Sequence, residues 1–147
     1  MKNILRSFIA AWYLLGWLSH VYLAIFSPQT YAVFGETALF AWFIPVWQQM
    51  VMPHIRIFAL LLAGIEITIG LCLIAKGKWV YLGLAASVLF NLFLVQLGLG
   101  MPAVTGWQDF LGNRMPNIIF ILLQLPLFFL SYPLSVIETI RSRSNKR

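Results

Sequence analysis

A chain of 147 residues with 61% hydrophobic and 10% charged side chains has room for one domain and lies outside the composition of soluble domains. Its formal charge of +6 sits in short clusters beside apolar runs, which is a topology signal rather than a nucleic-acid footprint. The single cysteine, Cys72, leaves no intrachain disulfide and no C-x-x-C dithiol, and reads as a small apolar packing residue.

Lys2 and Arg6 precede an apolar run that ends near Phe26. The run is too long for the core of a signal peptide, and no small-x-small cleavage site precedes Ser27-Pro28, so a retained first span over 4–26 is expected. Tyr13, Trp17, His20 and Ala24 share one stripe of that helix, with Gly16 alongside. From Ser27 to His54 the apolar Phe34, Leu39, Phe40, Trp42, Phe43, Ile44 and Trp47 are interrupted by Glu36, Pro45, Gln48, Gln49 and Pro53. Charge placement decides how to read this segment. If it does not cross, Lys2, Arg6, Lys76, Lys78, Arg141, Arg143, Lys146 and Arg147 all fall on one side, and only Arg56 and Arg114 lie opposite. The segment is therefore expected outside the cytoplasm, lying in the interface with Trp42 and Trp47 at headgroup depth.

The second span, 55–75, carries a carboxylate at its middle. Arg56, Ala59, Ala63, Glu66, Gly70 and Gly77 fall on one face at helical spacing. A lipid-facing Glu would cost at least about 2.5 kcal/mol, so Glu66 should face protein or a wet cavity. The small residues beside it suit close helix packing in lipid. Lys76-Gly77-Lys78 makes a tight hairpin into the third span, 79–100, where Gly83, Ser87 and Asn91 share a face. Gly98-Leu-Gly100-Met-Pro102 breaks that helix, and 105–114 reads as an outer loop. The fourth span, 116–137, starts at Pro116, repeats Asn117, Gln124 and Ser131 every seven residues, and should kink at Pro126. A basic cytoplasmic tail, 138–147, follows. The expected fold is all-α: a four-transmembrane-helix bundle of the inner or plasma membrane, both termini cytoplasmic, with an interfacial extracytoplasmic segment between helices 1 and 2.

The stretch from Ser27 through Gln96 resembles the DoxX-like family of small four-helix membrane proteins. Ser27-Pro-Gln-Thr-Tyr-Ala-Val-Phe-Gly35 is similar to the proline-led segment after their first span. Ala63-Gly64-Ile-Glu66-Ile-Thr-Ile-Gly70-Leu-Cys-Leu-Ile is similar to their loose G-x-x-E-x-x-x-G-x-x-L pattern, and Lys76-Gly77-Lys78 to their short basic turn. The glycine before Glu66 stands two residues away instead of three. Relatives often carry a Lys late in the first span, where this chain has Ser19-His20-Val21. The resemblance implies a redox-associated membrane protein, since members are linked to thiosulfate–quinone oxidoreduction, oxidative-stress complexes or redox-enzyme maturation.

One polar group per span, His20, Glu66, Asn91 and Gln124, forms a stripe, with Arg56 and Asn117 at its outer edge. Interhelical hydrogen bonding alone would account for Asn91 and Gln124. Glu66 and His20 are the candidate proton-handling groups, because an ionisable residue in a span is a functional hypothesis by default. Three readings follow. In the first, a cleft with Trp17, His20, Arg56, Glu66, Asn91 and Gln124 as candidate ligand-binding residues holds a quinone-like or other small amphipathic molecule. In the second, the chain is a non-catalytic subunit or assembly factor that docks a membrane or periplasmic redox partner. In the third, it is a small transporter or lipid-handling protein. Quinone is the one cofactor these possibilities imply, and self-association stays open. Two histidines and four acids are scattered without metal-ligand spacing, and no phosphate-binding glycine loop or G-x-S-x-G elbow occurs. An accessory protein or subunit fits this pattern better than a self-contained enzyme.

Overall fold

The computed structural model describes residues 2–145; Met1, Lys146 and Arg147 of the expected basic ends lie outside the described residues. The helices are α1 (Lys2–Phe26), α2 (Ala32–Glu36), α3 (Phe43–Ile74), α4 (Lys78–Leu97), α5 (106–129) and α6 (Val136–Ser144), with no strand among the described residues. Three of them, α1, α3 and α4, are long and apolar enough to cross a membrane. α5 is less regular. It passes through a π turn at Phe110–Arg114 into α-helix at Met115–Gln124, then a 3-10 turn at Leu125–Phe129, where Pro126 cannot donate.

α1 packs along α3, α3 against α4, and α4 against α5. Ring contacts of Trp12 and Tyr13 with Phe120 close the circuit between α1 and α5. Ala59, Ala63, Glu66 and Gly70 of the expected small-residue stripe are all buried, while Arg56 and Gly77 at its ends are exposed. The α1–α3 approach is close because Gly70 lacks a Cβ, which would stand 2.6 Å from Leu14 Cγ and 3.3 Å from Ala10 O. Exposed Leu15, Leu18, Leu61, Leu71, Leu89 and Leu92 cover the outside, as a lipid-facing surface requires.

The segment between the first two spans departs from expectation. From Phe43 onward it is helical and runs unbroken into the second span, giving α3 a length of 32 residues. At 1.5 Å per residue that is about 48 Å, well beyond a hydrocarbon core of about 30 Å. The prolines do not stop it. Pro45 sits in the first turn, where its missing N–H has no intrahelical partner anyway. Pro53 is absorbed by a π turn at Trp47–Val51 and a 3-10 turn at Met52–His54.

The two tryptophans also part company. Trp42 is 65% exposed, whereas Trp47 is 3% exposed and donates from Nε1 to Tyr31 O at 2.9 Å. Gly35 lets the indole lie flat against the backbone, since a Cβ there would stand 2.7 Å from Trp47 Cγ. Gly35→Ala should therefore overpack this joint and cost about 1–3 kcal/mol in reversible unfolding in micelles. Unchanged stability would mean that the ring yields freely.

The last part of the expected fourth span is not helical. After Phe129 the chain leaves the helix, and Tyr132 O accepts from Gly77 N at 2.8 Å while Leu130 O accepts from Tyr81 Oη at 2.7 Å. α6 then starts with a reciprocal cap: Ser135 N–H donates to Glu138 Oε2 at 2.7 Å and Glu138 N–H to Ser135 Oγ at 3.1 Å. Lys76 Nζ lies 3.0 Å from Glu138 Oε1, tying α6 to the hairpin turn. The Ser135 backbone donor, then Lys76, pull the Glu138 carboxyl from 4.5 down to about 2. A depressed pKa favours the docked helix above its ordinary range and loses that preference as pH falls through the folded value. α6 should thus loosen as pH drops from about 4.5 to 2. A spin label at Ser142 should gain mobility over that window in wild type and show no such step in Glu138→Gln.

Candidate functional site

Glu66 is placed by the small-residue stripe of α3 against α1. Gly16 makes room for it, since a Cβ there would stand 3.1 Å from Glu66 Oε2. Oε1 lies 3.7 Å from His20 Nε2, with the carboxyl side chain 8% and the imidazole 19% exposed. Oε2 is buried without a hydrogen-bond partner. On its other side, His20 Nδ1 meets Tyr31 Oη at 2.7 Å, and the two rings stack with centroids 6.1 Å apart. Tyr31 is buried in the 3-10 turn that Pro28 opens. Burial, then the Glu66 charge, push its phenol up to about 12, so it remains a hydroxyl at neutral pH. The three groups thus form a line from the segment after α1 to the middle of α3. The 3.7 Å step exceeds a direct hydrogen bond and leaves room for a bridging polar atom or a small rotation to close it.

Beside this line lies a cavity of about 170 Å³, lined by His20, Tyr31 and Glu66 together with Phe34, Trp47, Leu62, Phe90, Phe93 and Leu97 among others. Pockets that enclose drug-sized molecules start near 300 Å³, so this one suits a ring-sized headgroup whose remainder lies outside. Its chemistry is one-sided: an acid, an imidazole and a phenol against aromatic and aliphatic walls.

Of the residues read from sequence, the structure brings His20 and Glu66 together. Asn91 stands behind the wall, donating from Nδ2 to Tyr13 Oη at 2.7 Å and to Ser87 O at 2.8 Å, while Tyr13 Oη and Ser87 Oγ lie 2.8 Å apart. That buried bracket fixes α1 against α4 and sets Phe90, the neighbour of Asn91, in the cavity wall. Trp17 bonds its own helix, Nε1 to Leu14 O at 2.9 Å. Gln124 is fully buried and bonds Phe120 O at 3.0 Å within α5. Arg56 is exposed in a separate groove of about 460 Å³ with Pro28, Gln29, Met52 and His54. Among the described residues, no three His, Cys, Asp or Glu side chains group as metal ligands.

Sequence reasoning missed two things. The first is Tyr31, which no helical period links to His20 because the chain reverses between them. The second is the roof. Arg114 is 5% exposed and donates through Nη1 to Val95 O at 2.6 Å and Gln96 O at 3.2 Å, through Nη2 to Thr37 O, and through Nε to Asp109 Oδ2 at 3.2 Å. Asn113 Oδ1 accepts from Leu99 N at 3.0 Å and Met101 N at 2.9 Å. Gly98, at φ +88°, turns the chain under Thr37, whose hydroxyl donates to Leu97 O at 3.2 Å. These bonds hold the end of α4, where Leu97 and Leu99 line the cavity, against the segment after α2. The π turn supplies the register, since Asp109 and Arg114 stand five residues apart.

Comparison with protein-family models, curated proteins and solved structures gives no match to this chain.

Proposed function

We propose that this chain is a DoxX-like, redox-associated protein of the inner membrane, which binds a quinone-like or other small amphipathic ligand around Glu66. In this reading α5 supplies a fourth span, residues 27–42 lie in the outer interface, and both termini are cytoplasmic. The observation that carries it is the buried Glu66 carboxyl with one open oxygen, 3.7 Å from His20 and beside an aromatic-lined cavity. Reduction of a quinone by two electrons takes up two protons. Glu66 in its protonated form can deliver one to a ligand oxygen, and His20 and Tyr31 lie on the route by which it recharges from the outer side. The two electrons of that reduction come from a redox protein that the chain accompanies.

A second reading, as a docking subunit or assembly factor, draws on exposed aromatics at the outer end. Phe40 stacks on Trp42 and Trp107 on Phe110, with Trp42 65% and Trp107 67% exposed. Native mass spectrometry of the protein gently extracted from its own membrane separates the two. A quinone-sized adduct supports the ligand reading; a stoichiometric protein partner without such an adduct supports docking.

A further inference from the structure

The turn Pro28–Tyr31 serves two hollows. Its Tyr31 lines the Glu66 cavity, whereas Pro28 and Gln29 line the groove of about 460 Å³. Met52, His54, Arg56 and Ile57 of α3 contribute the other wall. That volume falls within the range of small-molecule sites, about 300–1,000 Å³. The polar side chains in it are all donors of hydrogen bonds. Gln29, His54 and Arg56 are exposed, and no carboxylate lines the groove. Among the described residues, these three side chains make no ion pair or hydrogen bond with protein. A guanidinium cation and two neutral-capable donors therefore converge on one concavity without an internal partner.

The depth of the groove follows from the length of the helix below it. The regular part of α3, Ile55–Ile74, has 20 residues, about 30 Å at 1.5 Å per residue, which matches the hydrocarbon core. Lys76 and Lys78 follow its far end, so its first turn, with Arg56, stands at headgroup level on the other side. From the groove, Ile57, Leu61 and Ile65 continue at intervals of four residues, all exposed. A donor-lined groove at headgroup depth thus runs into an apolar track along the helix.

We propose that this groove binds an anionic phospholipid. Arg56 takes the phosphate, Gln29 and His54 donate to the headgroup, and an acyl chain lies along Ile57, Leu61 and Ile65. A guanidinium can meet two phosphate oxygens at once. A zwitterionic headgroup brings its own cation into a groove that already holds one and has no acid to receive it. Inorganic phosphate offers the same oxygens but gains nothing from the apolar track. The site shares no side chain with the Glu66 cavity and does not rest on the quinone reading.

Purified full-length protein, stripped of lipid in detergent, is titrated with phosphatidylglycerol, phosphatidylcholine or inorganic phosphate and followed by native mass spectrometry and thermal unfolding. One phosphatidylglycerol should bind about tenfold more tightly than phosphatidylcholine and raise the unfolding temperature, with no effect of inorganic phosphate. Arg56→Gln should remove the preference and leave the lipid-free unfolding midpoint in place, because the side chain is exposed and unpaired. Gln29→Glu sets a carboxylate in the same groove and should remove the preference with Arg56 intact. Lys78→Gln, at the other end of α3, should keep it. Equal binding of the two lipids, a preference that survives Arg56→Gln or Gln29→Glu, or one that Lys78→Gln also removes, would overturn the site. Equal stabilisation by inorganic phosphate would overturn its assignment to lipid.

Discussion

On the quinone reading proposed above, Glu66→Gln should leave the bundle folded and remove proton delivery to the ligand. The amide keeps the size of the carboxyl, so the packing against Gly16 is preserved and the helical signal and unfolding midpoint should stay close to wild type. What is lost is the acidic carboxyl proton next to the cavity. General acid–base groups contribute about 10²–10⁴-fold, so if the chain serves quinone reduction as proposed, turnover should fall by that factor. Tyr31→Phe should fall less, since it interrupts recharging while leaving the acid in place. Trp42→Ala separates the alternatives: it lies on the exposed outer face, so it should weaken partner docking and spare the adduct. Trp47 cannot serve that purpose, because its ring is part of the core. If Glu66→Gln keeps full turnover and ligand retention, Glu66 is a packing residue and the proton reading is wrong.

Hydropathy and helical period made the main helices legible, along with the stripe that buries Ala59, Ala63, Glu66 and Gly70. They did so because a charge at the middle of an apolar run leaves only one face available. The same signals could not sort Trp42 from Trp47. Both stand in an apolar, proline-broken stretch, and the feature that buries one of them is Gly35, twelve residues earlier and on another element. Nor could they show that α3 passes Pro53, since a proline in a run reads as a stop unless the π and 3-10 turns that accommodate it are known. The partners of the site lie across chain reversals: Tyr31 beyond Pro28, and Arg114 on a helix far from Thr37. Periodicity describes one helix at a time, whereas these contacts are made between elements.

Arg114→Met should cost about 3 kcal/mol, the low end of the 3–5 kcal/mol range for breaking a buried pair, because Asp109 is 32% exposed and water can take up its charge. Most of the cost arises elsewhere. The guanidinium satisfies backbone oxygens of Val95, Gln96 and Thr37, and Met offers them nothing. Arg114→Lys should recover only part of the loss, since three donors on one nitrogen cannot span acceptors on two segments. The damage should be local. Tyr13, Ser87 and Asn91 still bracket α1 to α4, so hydrogen exchange should rise at 37–42 and 98–104 while the lower core stays protected. Because Leu97 and Leu99, at the end of α4 that these bonds hold, line the cavity, the same variant should release the proposed ligand faster with Glu66 intact. Unchanged exchange at 37–42 would show that the roof is held by Thr37 and Asn113 without the arginine. Faster ligand release with the core intact would separate the holding of the ligand from the handling of its proton.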